Sequence, residues 1–154
     1  MHLPARHDSE AKLESAPRTV PRRPSCFEWD RMKLLMLKRV YAPPTAGDGT
    51  RILVDRLWPR GLSKDKAKIG LWLKDISPSD KLRKRFHSRP DDWAEFCTEY
   101  YSELTGAAAQ VAAKVLFDHL RSGPVTLLYA ARNENQNNAV ALKAWLDRQV
   151  RRKR

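Results

Sequence analysis

Acidic residues are scarce in this chain, cysteine is scarcer, and no long apolar run occurs in its 154 residues. Eighteen Asp and Glu face thirty Lys and Arg, a net charge of +12. That balance disfavours cationic partners and suits phosphates, nucleic acid or an anionic surface. Cys26 and Cys97 stand alone in regions of different character. They have neither the density of a secreted disulfide scaffold nor metal-ligand spacing, so the expected setting is a reducing cytoplasm. No apolar stretch approaches the ~20 residues that span a bilayer, and the N-terminus lacks the apolar core of a signal peptide. The sequence therefore reads as soluble and cytoplasmic, without a membrane partner.

What is present suffices for one domain, since a chain of this length buries roughly 70% of its unfolded surface. Residues 1–31 read as a disordered extension, because Pro4, Pro17, Pro21 and Pro24 fall among Arg, Ser and Glu with no sustained apolar period. The domain proper is expected over 32–147. A basic tail follows at 148–154, where Arg148, Arg151, Arg152, Lys153 and Arg154 cluster.

The most informative stretch is Arg51-Ile-Leu-Val-Asp-Arg-Leu-Trp-Pro-Arg-Gly61. Ile52, Leu53 and Val54 form a short, largely β-branched block, the mark of a strand buried on both faces. Asp55 and Arg56 follow without a spacer, and Pro59 and Gly61 force the chain into a loop. The spacing predicts a strand over 51–57 whose charged end lies at the carboxyl edge of a sheet, where α/β proteins bind ligands. Arg56, Arg60 and Lys64 fall within nine residues of one another. The competing explanation is a strand end whose Asp55 and Arg56 pair with neighbours for purely structural reasons.

A first strand is expected over 33–41. The short loop containing Pro43, Pro44, Gly47 and Gly49 suggests an antiparallel neighbour. Ser77-Pro78-Ser79-Asp80 reads as a capping box with Ser77 as N-cap, opening a short basic helix with Leu82 and Phe86 on one face. Trp93, Phe96, Tyr100 and Leu104 repeat at helical spacing and read as core. An alanine-rich helix is expected to run to about Arg121, carrying Val111, Val115, Leu116 and Leu120. Val125 to Ala131 forms a second buried strand, with Tyr129 in the core. The amide run after Arg132 should lead into a helix capped by Asn137 or Asn138, whose N-terminal amides offer an anion site. The fold class is α/β, a single compact domain with a small mostly parallel or mixed sheet flanked by helices.

Val54-Asp-Arg-Leu-Trp-Pro-Arg-Gly61, Pro78-Ser79 with Leu82-Arg83 and Phe86-His87, Tyr100 to Leu104, and Leu127 to Ala131 with Gln136-Asn137 and Ala139 together resemble the YeaO-like family, within the grouping called domain of unknown function 488. The resemblance covers residues 33–147. It implies a compact cytoplasmic α/β domain with no settled activity. Some relatives carry Asp where this chain has Asn133 and His where it has Gln136, which takes two titratable groups out of this loop.

Candidate catalytic residues are Asp55 and His87. Asp55 beside Arg56 should be held ionised, which suits ion pairing better than proton transfer. His87 should sit near a helix C-terminus, where the dipole favours its charged form. Arg56 and Arg60 read as anion clamps, Arg132, Asn133 and Asn137 as partners from the second loop, and Trp58 as a stacking face or a plug for the sheet end. The residues imply no metal, and the cofactor is left unknown. Three functions fit: a small anionic ligand bound between the strand ends, a regulatory or interaction domain without catalysis, and a sequence-independent nucleic-acid module. The last would use the basic helix Lys81 to Arg85, Lys64 to Lys68 and the tail.

Overall fold

The computed structural model describes residues 30–152. Most of the extension assigned to 1–31 and the last two residues of the basic tail lie outside the described residues. Four strands, β1 (Leu35–Arg39), β2 (Thr50–Leu53), β3 (Leu71–Trp72) and β4 (Val125–Tyr129), form one sheet in the order β1-β4-β2-β3. Every neighbouring pair is parallel. Residues 30–32 are helical, and further helices follow: α1 (Lys64–Ala67), α2 (Asp80–Ser88), α3 (Trp93–Glu103), α4 (Ala107–Ser122) and α5 (Asn138–Arg152), with 3₁₀ turns at Ala46–Asp48 and Lys74–Ile76. α/β architecture is thus as expected.

All five β4 residues are buried, as a central strand requires. Alternation along the strands sorts side chains to two faces. Leu35, Ile52, Val54, Leu127 and Tyr129 join the main core. Within that core, α5 packs on β4 and β1 and against α3. Leu53, Leu128 and Val40 point the other way, into a thin layer closed by Ala67, Ile69, Trp58 and Leu62.

The expected antiparallel pairing of the first two strands is incorrect. β4 lies between them and both run parallel to it. Residues 40–49 must return the chain to the start of β2, and an extended segment reaches ~3.3 Å per residue, enough to retrace a short strand without a helix. The strand predicted over 51–57 also stops early, at Leu53, before the charged pair.

One helix detail differs as well. Ser79, not Ser77, caps α2, its Oγ accepting from the Leu82 amide at 3.2 Å. Ser77 instead closes the preceding 3₁₀ turn, its hydroxyl donating to the Lys74 carbonyl at 2.5 Å. On α4 the buried stripe is Ala109, Ala112, Ala113, Leu116 and Leu120, while Val111 is exposed and Val115 half-buried. The alanines, lacking bulk, let the helix pack close, and that turns Val111 outward. Phe96, Tyr100 and Leu104 are core as expected. Phe86 of α2 stacks on Phe96 with centroids 4.4 Å apart.

The thin face of the sheet conceals a buried ion cluster. Asp48 and Arg51 are only 5% and 4% exposed. Arg51 Nη1 donates to Asp48 Oδ2 at 2.7 Å and its Nε to the Ala67 carbonyl at 2.8 Å. Lys38 Nζ reaches both Asp48 oxygens, at 3.1 and 3.2 Å. Burial opposes the charge on Asp48, but bonds from Thr45, Lys38 and Arg51 outweigh it and hold the carboxyl well below the ordinary range.

Candidate functional site at the carboxyl edge of the sheet

Because all four strands are parallel, the segments following them emerge on one edge. After β2 the chain moves toward β3; after β4 it enters α5, which packs toward β1. Departures in opposite directions leave a crevice between the ends of β2 and β4, the place where ligands settle in open α/β sheets.

Asp55 stands at this crevice. Its Oδ2 accepts from the Ala130 amide beyond β4 at 2.8 Å, and its Oδ1 accepts from Asn138 Nδ2 at 2.9 Å. The same Asn138 nitrogen donates to the Val54 carbonyl at 2.9 Å. The expected Asp55–Arg56 pair does not form. Successive side chains at a strand end point to opposite sides, and Arg56 Nε donates instead to the Pro78 carbonyl at 2.9 Å. Nor is a neighbouring cation the largest influence on Asp55. Burial pushes its carboxyl above the ordinary aspartate range, against the opposing pull of Asn138, Ala130 and the charge of Arg83.

Arg83 was expected only as part of the basic helix Lys81 to Arg85 and not at the strand-end site. It lies one turn into α2, next to the Ser79 cap, with Nη2 3.3 Å from Asp80. Its Nε is buried and has no hydrogen-bond partner among the described residues. Glu103 braces the same helix start, taking the Ser79 amide at 2.8 Å and the Ser79 hydroxyl at 2.5 Å. Beneath it, the buried Tyr100 hydroxyl donates to the Ile76 carbonyl at 2.5 Å, and burial raises its pKa well above the usual value.

The other candidates separate. Trp58 plugs the thin face, Nε1 donating to the Leu62 carbonyl at 2.8 Å and the ring meeting Trp72 edge-on at 5.3 Å. Arg60 is exposed, and its carbonyl accepts from the Tyr41 hydroxyl at 3.1 Å. Arg132 and Asn133 are exposed on the loop after β4. Asn133 Oδ1 folds that loop by accepting from the Asn135 and Gln136 amides at 2.9 and 3.1 Å. Asn137 is buried as the cap of α5, with Oδ1 2.9 Å from the Val140 amide and Nδ2 2.9 Å from the Asn133 carbonyl. Its neighbour Asn138 is the residue that faces Asp55. His87 is exposed on the last turn of α2, and eight residues at ~1.5 Å rise put it ~12 Å along the axis from the cap. It does not join Asp55. Among the described residues no three His, Cys, Asp or Glu gather around a common point that could hold a metal, and no helix is long and apolar enough to cross a membrane.

Two signals for the missed residues existed in the sequence. Asn138 was the alternative cap, and Arg83 lies four residues beyond the true N-cap, one helical turn from the strand-end loop.

A family model described as the inactive DUF488-N3 subclade matches residues 34–154. The chain belongs to that family. An uncharacterized protein of Escherichia coli strain K12, YeaO, is 46% identical over 112 residues, covering 73% of this chain and 96% of the relative. Uncharacterized proteins of Mycobacterium bovis, Mb3100c, and Mycobacterium tuberculosis, Rv3073c, are each 38% identical over 109 residues, covering 71% of this chain and 90% of the relative. The YeaO-like resemblance is thereby shown. No solved structure matches.

Proposed function

We propose that this DUF488 protein binds a small anionic ligand at the carboxyl edge of its sheet and does not turn it over. One observation carries the reading: Arg56 and Arg83 converge on the end of β2, yet Asp55 satisfies neither guanidinium directly. Among the described residues the Asp55 oxygens receive Ala130 and Asn138, Arg56 donates to the Pro78 carbonyl alone, and Arg83, whose Nη2 meets Asp80, keeps a buried Nε without a partner. A buried donor without a partner costs about 1–3 kcal/mol, and a phosphate or carboxylate oxygen would relieve it. Arginine's planar fork suits such groups. Asp55 acts here as the brace that joins β2, β4 and α5 behind the cations.

Binding without turnover is supported by the word inactive in the description of the family. The amides Asn133 and Gln136, where some relatives carry Asp and His, support it too, since neither can transfer protons near neutral pH.

A thermal-shift titration with inorganic phosphate, mononucleotides and small dicarboxylates tests this. A binder at ~100 times its Kd adds about 2.7 kcal/mol to stability, seen as a rise in Tm of several degrees. Arg56→Ala and Arg83→Ala should abolish the rise. No shift with any of these anions, or a shift that both variants retain, would refute the reading.

A further inference from the structure

We infer that the ligand at this edge is a single strand of nucleic acid, its phosphates on the arginines and its bases on exposed aromatic side chains of neighbouring strand ends. The inference rests on the anion site proposed above and adds a substrate class to it. Large apolar side chains exposed among the described residues are few, and three of the four gather here: Tyr41 (43% exposed) just after β1, Leu57 (54%) after β2 and Trp72 (36%) at the end of β3. Parallel strands bring all three to one edge.

Cations accompany each ring. The Arg39 guanidinium lies 5.4 Å from the Tyr41 ring centre and Lys74 Nζ lies 5.5 Å from that of Trp72. Arg56, Arg60 and Arg132 belong to the intervening segments, and the Tyr41 hydroxyl binds the Arg60 carbonyl, drawing the loop after β2 across the edge. Beside Tyr41 an open cavity of about 570 Å³ is bordered by Arg39, Tyr129, Glu134 and Asn135, groups able to hydrogen-bond a base edge. The acids of this region are Asp55, turned to Ala130 and Asn138, Asp80 and Glu103, engaged with Arg83 and Ser79 at the start of α2, Asp75 in the turn after β3, and Glu134 at the cavity rim. The strand must pass between the last two.

The dimensions suit a short strand. Three inter-strand steps of ~4.8 Å separate β1 from β3, about 14 Å in all, over which a stacked strand presents roughly four phosphates at ~3.4 Å each. Aromatic faces among cations are the usual platform for single strands, because every base has a π-face. A duplex hides its bases and gains nothing from Tyr41 or Trp72. This surface is distinct from the basic outer face of α2, which carries Lys81 and Lys84 and no exposed aromatic.

Fluorescence anisotropy of the full chain with a labelled eight-nucleotide single strand, as DNA and as RNA, against the same sequence as duplex tests the inference. The single strand should bind more tightly than the duplex, with a log–log salt slope near −2 if about three phosphates are neutralised. Tyr41→Ala and Trp72→Ala should each weaken it on the order of 5- to 100-fold, while Lys81→Glu should leave it nearly unchanged. Trp72→Phe preserves a stacking face, so it should keep most of the affinity and lose part of the tryptophan quenching that accompanies binding; this separates stacking from misfolding. Equal or tighter duplex binding, or indifference to both aromatic variants, overturns the inference. Arg56-dependent binding of a mononucleotide with no gain for the oligonucleotide overturns it and leaves the anion site standing. No binding of either at low salt removes both.

Discussion

Asn138, the first residue of α5, reaches back to Asp55 beyond β2, 2.9 Å from its Oδ1 and 2.9 Å from the Val54 carbonyl. One amide thus ties the start of the last helix to the end of a strand 83 residues earlier, while Asp55 itself takes the Ala130 amide. Three elements meet in two side chains.

Replacing Asn138 by Ala should cost about 1–2 kcal/mol, since it strips a donor from partly buried oxygens. It should also drive the Asp55 carboxyl further up. An acid raised above its ordinary 3.8 keeps its proton in the folded state at a pH where the unfolded chain has lost it. Its contribution to stability is therefore fullest below the unfolded value and is withdrawn as pH rises through the folded one. Carbon-detected NMR titration of the Asp55 carboxyl reads this directly, and a midpoint below the ordinary value would contradict the environment described.

Asp48 should behave in the opposite sense. Its carboxyl is held down by Thr45, Lys38 and Arg51, so its stabilisation is complete above the unfolded aspartate value and fades as pH falls toward the folded one. Asp48→Asn leaves Arg51 charged and buried, at a cost of roughly 3–5 kcal/mol near neutral pH. Urea unfolding at several pH values should show the gap between wild type and variant narrowing from about pH 5 downward. A gap independent of pH would mean that packing, not charge, holds this cluster.

Gly49 offers a matched pair of substitutions. Its φ is +63°, and a Cβ there would lie 2.1 Å from the Pro124 carbonyl oxygen, itself the acceptor for the Thr50 amide at 3.0 Å. Gly49→Ala combines a strained backbone with an overlap and should destabilise by about 3 kcal/mol or more. Two residues away, a Cβ on Gly47 meets nothing within 4 Å, so Gly47→Ala should stay within about 0.5 kcal/mol. Similar urea midpoints for the two variants would refute the close approach of these loops.

Local pattern made much of this fold legible in the sequence. The apolar blocks around Ile52 and Leu127 are strands because their residues are buried on both faces, and the 93/96/100/104 spacing is a core stripe because helical geometry allows little else. Strand order was not legible in the same way. Nothing in residues 40–49 records that β4 will enter between β1 and β2, so loop length alone misled the expected orientation. The site divides along the same line. Asp55 stood out as a charge at the end of an apolar block, but its partners Asn138, Ala130 and Arg83 come from distant elements. Adjacency in sequence suggested Arg56 instead, which the pleat turns away. On α4 the apolar residues alone do not mark the buried face: Val111 is exposed, and the small Ala109, Ala112 and Ala113 are buried.

The central place of β4 has a consequence for how the chain is made. Arg39 at the end of β1 bonds to the Ala131 carbonyl, 92 residues later, and β2 finds its other neighbour in the same late strand. On the ribosome, β1 and β2 emerge first, and although β2 can pair with β3, nothing joins it to β1 until Val125 to Tyr129 follows. Such remote pairing makes closure slow, and the waiting strands present open edges to other chains. A polypeptide ending before Val125 should therefore fail to form the sheet. Supplied separately, a fragment carrying β4 and α5 would act as the keystone that the nascent chain awaits.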